Sequence, residues 1–144
     1  MGTLSLNGAV SGSTTIQPVD GVTATITLPN VTTTLTGTGS TQTYTAPQRG
    51  TVTTDNDLSF DMNVTNNFKC TPTATGALKF TNITAGQSGY VLLVNSGGYA
   101  ITAAATTKVG ATFLSTVSAA GTYLISYFSP DGTSVYCTAS GALS

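Results

Sequence analysis

Histidine, glutamate and tryptophan are absent from this 144-residue chain. Charge is almost absent as well. Lys and Arg number 4 and Asp and Glu number 5, for a formal net charge of −1. Charged residues make up 6% of the chain, against about 25% in an ordinary soluble domain. Without His, the chain has no means to build a His-based triad, a His-ligated metal or a zinc finger of the usual kind. Arg49, Lys69, Lys79 and Lys108 are too few to neutralise a phosphate backbone, so nucleic acid is not an expected partner. Coiled coils and helical bundles draw on Glu, Lys and Arg, and they too are excluded. No apolar run reaches the about 18 residues a transmembrane helix needs, so no membrane partner is expected.

What is present is Thr, Ser and Gly. Thr and Ser together supply close to a third of the chain, and Gly numbers 16. With 40% hydrophobic residues and little net charge, the composition is that of a folded domain rather than a disordered one. The N-terminus, Met1-Gly2-Thr3-Leu4-Ser5-Leu6, has no basic region leading into an apolar run. It is read as a chain made and folded in a cytoplasm. Cys70 and Cys137 are then expected as free thiols rather than a disulfide.

The hydrophobic period is two. Leu58, Phe60, Met62 and Val64 alternate with polar residues, as do Val22, Ala24, Ile26 and Leu28 with Thr. Thr is stiff at χ1 and suits a pleated, half-wet surface, which explains how strands form with so little charge. Tyr90-Val91-Leu92-Leu93-Val94 and Tyr123-Leu124-Ile125-Ser126-Tyr127-Phe128 are apolar on both faces. Such strands belong in the middle of a sandwich or against a neighbouring subunit. Ser129-Pro130-Asp131-Gly132 then predicts a hairpin into Val135-Tyr136-Cys137. Thr106, Thr107, Val109 and the flanking glycines make residues 103–120 strand and loop rather than helix.

Composition shifts near Pro47-Gln48-Arg49-Gly50. Of the eleven aromatics, all but Tyr44 lie beyond it. The expected organisation is a Thr/Gly-rich arm or set of edge strands over residues 1–46 and a core domain over 47–144. The fold class is all-β, an antiparallel β-sandwich or jelly roll. No repeat of fixed period is visible.

Chemistry-bearing residues are sparse. Asp55-Asn56-Asp57, with Asp61 nearby, reads as a polar turn; the alternative is a calcium site, but the EF-hand spacing and its Glu are missing. Asn30, Asn63 and Asn82 head Asn-x-Thr triplets of the kind a Thr-rich composition generates. Tyr90, Tyr99, Tyr123, Tyr127 and Tyr136 read as core or interface residues; the alternative is a carbohydrate-binding surface. No catalytic, cofactor or metal residue is assigned.

Gly86-Gln87-Ser88-Gly89 ahead of an apolar strand, the Ser126-Tyr127 pair, Asp131-Gly132 and the final Val135-Tyr136 form a recurring order. In this, residues 57–143 resemble a β-rich module of tailed-bacteriophage virion proteins, found in tail fibres and small capsid-associated proteins. The resemblance implies a non-enzymatic structural role on the virion surface, after synthesis in the bacterial host cytoplasm. The small size points to a capsid decoration or cement subunit. Its implied partners are the major capsid protein and itself, as a homodimer or homotrimer. The alternative is a tail-fibre module that recognises a host-surface glycan.

Overall fold

The computed structural model describes residues 47–144, which belong to the unit Tyr44–Ser144. The expected arm, the strand at residues 22–28 and Asn30 lie outside the described residues. The elements in order are β1 (Val52–Thr54), β2 (Ser59–Asp61), β3 (Asn67–Cys70), β4 (Gly76–Thr81), β5 (Ser88–Asn95), β6 (Ile101–Ala103) and β7 (Thr107–Val109). They are followed by α1 (Phe113–Ser118), β8 (Gly121–Phe128) and β9 (Val135–Ala139). One sheet has six strands in the order β1-β3-β5-β8-β9-β7, and a second has three in the order β2-β4-β6.

From β1 to β6 the chain alternates between the two sheets, so neighbours within a sheet are two elements apart in sequence. That makes β1·β3, β3·β5, β2·β4 and β4·β6 parallel. A parallel pair needs a connection of about a dozen residues or more. Here each connection carries a strand of the other sheet: residues 55–66, for example, hold β2. The β5·β8 and β8·β9 pairs are antiparallel, and β7 joins β9 in parallel. The large sheet is therefore mixed and the small one parallel, and the purely antiparallel expectation is corrected. Gly, Asn and Asp mark where the backbone turns. They do not say whether the next strand pairs with the last one or crosses to the other sheet. The offsets also vary, Val52 pairing with Asn67 and Asn67 with Tyr90, so no period surfaces in the sequence.

Both sheets contribute to one core. Phe60, Leu78, Phe80 and Ile101 come from the small sheet; Phe68, Val91, Leu93, Tyr123, Ile125 and Val135 come from the large one. Phe60 lies against Phe68 and Phe80, and Phe80 against Tyr127, with ring centroids 4.8–5.6 Å apart at tilted angles. Leu58, Phe60 and Met62 are buried as the alternation requires, but regular strand covers only Ser59–Asp61. Leu58 sits at a φ of 66°. At the other end the Asp61 carboxylate accepts from the Asn63 N–H at 2.9 Å and turns the chain, which leaves Val64 exposed.

The fold is not strictly all-β. Residues 103–120 contain β7 as strand, but α1 forms where loop was expected. Its sequence, Phe-Leu-Ser-Thr-Val-Ser, is poor in helix formers, and six residues cannot sustain a helix alone. Packing of Phe113 and Val117, one turn apart, into the core outweighs propensity. The buried Asn95 amide donates to the carbonyls of Tyr99 and Val117, both at 2.9 Å, and ties the end of β5 to this helix. No helix of the described residues is long and apolar enough to cross a membrane.

The Gly-Gln-Ser-Gly segment has a physical role. Gly86 adopts φ 80°, a left-handed conformation that favours glycine. The Gln87 amide donates to Met62 O at 2.6 Å and to Asn66 Oδ1 at 2.7 Å. A Cβ on Gly89 would stand 1.7 Å from the Asn66 carbonyl oxygen and 2.7 Å from the Tyr127 hydroxyl. That carbonyl also accepts from the Tyr90 N–H and from the Tyr127 hydroxyl, each at 3.0 Å.

Gly89→Ala is therefore expected to lower stability by about 3 kcal/mol or more, because the clash is with backbone. Gly110→Ala, where a Cβ would meet nothing within 4 Å, should stay within about 0.5 kcal/mol. Urea denaturation of the pair decides the point; equal midpoints would show that the close approach at Gly89 is not a constraint. The Thr107 hydroxyl is buried with no hydrogen-bond partner. Thr107→Val is expected to stabilise by about 1 kcal/mol in the same measurement.

Candidate functional site: the open face of the large sheet

Strands of the large sheet bury one side. In β5 Val91, Leu93 and Asn95 face the core, and in β8 Tyr123, Ile125 and Tyr127 do. The period of two sends Tyr90, Leu92, Val94, Leu124 and Phe128 to the opposite face. The expectation of burial on both faces is met on one face only among the described residues, the second being open there. Seven large hydrophobic side chains of the described residues are substantially exposed. Five of them, Val52, Tyr90, Leu124, Phe128 and Tyr136, stand on this face, so it is a patch and not scatter.

Cross-strand register assembles it. Leu92 lies opposite Leu124, Tyr90 opposite Ser126, and Val94 opposite Thr122. Phe128 lies opposite Tyr136, and Ser126 opposite Thr138. The two central strands are eight residues long and fully paired, which makes the middle of the face regular. One pair of hydroxyls there is already satisfied. The Ser126 and Thr138 hydroxyls bond to each other at 2.7 Å. Lys69 and Lys108 lie on the flanking strands β3 and β7, and the Lys108 ammonium donates to the Ala105 carbonyl at 2.6 Å. Two shallow grooves open on the face. One, of about 630 Å³, runs between Lys108, Phe128 and Tyr136. The other, of about 370 Å³, runs between Val52, Lys69, Tyr90 and Leu92.

The tyrosines divide. Tyr90 and Tyr136 share the open face. Tyr123 and Tyr127 are buried core residues whose hydroxyls donate to the carbonyls of Ala119 and Asn66. Tyr99 is half-buried, its ring against Gly97. A surface built from all five does not exist.

The carboxylates make turns. Asp57 accepts from the Ser59 N–H at 2.8 Å, and Asp61 from the Asn82 amide at 2.8 Å. The Asn82 amide, with the Asn63 N–H, holds Asp61 below the usual carboxylate range. Partial burial and then the neighbouring Asp57 push Asp55 above it. Asp131 accepts from the N–H groups of Ser134 and Thr133, which hold it low and fix the Asp-Gly turn. Among the described residues no group of three or more His, Cys, Asp or Glu is placed to hold a metal ion.

Both thiols are free and buried on the core side of the large sheet. Burial pushes Cys70 up to about 11 and Cys137 up to about 12. Burial raises Tyr127 to about 12 as well. At neutral pH both thiols stay protonated and poorly nucleophilic.

These shifts give a pH dependence. A folded-state value above the unfolded one gives stability that is complete below the unfolded thiol value of 9.0 and is lost as pH rises toward 11–12. In that window the unfolded chain releases protons that the folded chain retains. The urea midpoint is expected to be lower at pH about 10.5 than at pH about 8. A thiol reagent at pH about 8 should label both cysteines only after denaturation. A flat midpoint, or fast labelling of the native chain, would contradict the burial.

No protein-family model, no curated protein and no solved structure matches this chain.

Proposed function

We propose that this chain is a structural, non-enzymatic virion protein of a tailed bacteriophage, a capsid decoration or cement subunit. It binds the outer surface of the capsid and stabilises the shell, with the major capsid protein and copies of itself as partners. The observation that carries the reading is the largely apolar face of the large sheet, with two lysines and no carboxylate. A surface of that kind works by being covered, and its few charges suit association through shape and apolar contact. The carboxylates support the same reading, because Asp57, Asp61 and Asp131 are committed to turns and none stands on that face. We read the two sheets and their shared core as a sandwich-type architecture adapted to such packing.

The second reading is a tail-fibre module for a host-surface glycan. It is favoured by one observation, the exposure of Tyr90, Phe128 and Tyr136 on the same face, since aromatic rings stack on sugars.

Copy number separates the two. Quantitative mass spectrometry of purified virions is expected to find the chain in hundreds of copies, scaling with the major capsid protein. A handful per particle would favour the fibre, and absence from particles would refute both. Particles lacking the chain are expected to release DNA at a lower temperature than complete ones.

A further inference from the structure

We propose that the open face of the large sheet is covered by a second copy of this chain. The two sheets pack face to face about a twofold axis near the Leu92–Leu124 pair. The inference deepens the assembly reading above and rests on it in one respect, that the chain acts by fitting against neighbours. It adds which neighbour covers this face.

The area is sufficient. Val52, Tyr90, Leu124, Phe128 and Tyr136 keep 41–63% of their surface open, and side chains of this size then expose about 500 Å² together. The half-open Leu92 and Val94 and the hydroxyl side chains around them bring the face toward the about 800 Å² per partner of a standard stable interface.

The chemistry selects an apolar partner. No carboxylate projects from this face; Lys108 lies on the edge strand β7, Lys69 lies on β3 beside Leu92, and the aromatic and leucine side chains hold the two central strands. An apolar, aromatic-rich centre bordered by a few long basic side chains fits a protein–protein interface. Ser126 is bonded to Thr138 and Lys108 to Ala105, which leaves the Lys69 ammonium, on the strand beside Leu92, as the charge the face still presents.

The number of patches selects a pair. A ring of three needs two different complementary surfaces, whereas a twofold pair needs one patch that matches itself. The described residues carry one such patch. Its centre is a leucine pair on two antiparallel strands, so a twofold there stacks four leucines between sheets about 10 Å apart.

The test uses the full chain. Analytical ultracentrifugation at tens of micromolar is expected to give the mass of a dimer. Leu124→Lys, on the outer face of β8, is expected to halve it while leaving the circular-dichroism spectrum and melting curve of a folded chain. Val64→Lys, more exposed but in the turn after β2, is expected to leave the dimer intact. Should Leu124→Lys fail to fold, Leu124→Cys decides. Cys70 and Cys137 are buried, so the new thiol is the reactive one. Sheets about 10 Å apart hold the two Cα atoms beyond the reach of a disulfide, so the probe is a bismaleimide of about 8 Å span, one maleimide alkylating each thiol, which is expected to give a cross-linked dimer. A monomeric parent chain, a trimer, a dimer that survives Leu124→Lys, or no cross-link through Leu124→Cys would each overturn the proposal. A dimer that binds no virion would support it and refute the decoration role. A monomer whose virion binding is lost with Leu124→Lys would do the reverse.

Discussion

The carbonyl of Asn66 accepts a backbone N–H from Tyr90 and a side-chain hydroxyl from Tyr127, and it does so only because Gly89 has no side chain. That close approach joins the turn after β2, the start of β5 and the end of β8. Around it, Gln87 fixes the same turn through Met62 and Asn66. The Gly86 N–H donates to Ser129, and the Ser129 N–H donates back to Gln87. The alternation of strands between sheets brings these three segments together, and the node then sets their register. A shift of one residue in β5 exchanges Val91 and Leu93 for Tyr90, Leu92 and Val94 on the core side. The identity of the open face therefore depends on one carbonyl and one missing methyl.

Local pattern was legible in the sequence; pairing was not. Alternation at Leu58, Phe60 and Met62 identified three core residues, and the run from Tyr123 to Phe128 with its Pro-Asp-Gly turn identified β8, the hairpin and β9. Strands β3 and β4 supply two buried side chains each, Phe68 with Cys70 and Leu78 with Phe80. That signal is too short to stand out from a Thr-rich background. Parallel pairing leaves no local trace, because arches between sheets and hairpins within a sheet use the same residues. Helix α1 was hidden for another reason. Its stability comes from where Phe113 and Val117 land, which intrinsic propensity does not encode. Where β5 begins, the glycines and Gln87 were visible as a motif, while their partner Asn66 was not, since two of its three bonds are made by a backbone carbonyl that any residue possesses.

The most informative disagreement concerns β5 and β8. Their sequences are apolar on both faces, and the described residues cover only one of those faces. An apolar side chain on a solvent face contributes little to the stability of the isolated chain and carries a risk of aggregation. Natural sheets usually break such faces with Lys or other charge. Here the two lysines stand on neighbouring strands, Lys69 beside Leu92 and Lys108 beside Tyr136, and the Ser126 and Thr138 hydroxyls bond to each other. Both arrangements keep the middle of the face continuous, and they are intelligible if that middle is buried in an assembly.

Near-neutrality has a consequence for how such an assembly holds. Interactions between exposed charges fade beyond about 10 Å at moderate ionic strength, so a surface that relies on them weakens as salt rises. Apolar and shape-based contact is strengthened by salts excluded from protein surfaces. A chain with charge in 6% of its residues, and carboxylates committed to the turns at Asp57, Asp61 and Asp131, has little electrostatic contact to lose. The same economy limits discrimination. With few like-charge contacts to reject wrong partners, selectivity falls to geometry. The node at Asn66 helps fix that geometry by holding Leu92 opposite Leu124, and the Asp131 turn by holding Phe128 opposite Tyr136. Rigidity in the core and specificity at the open face are then one property of the fold.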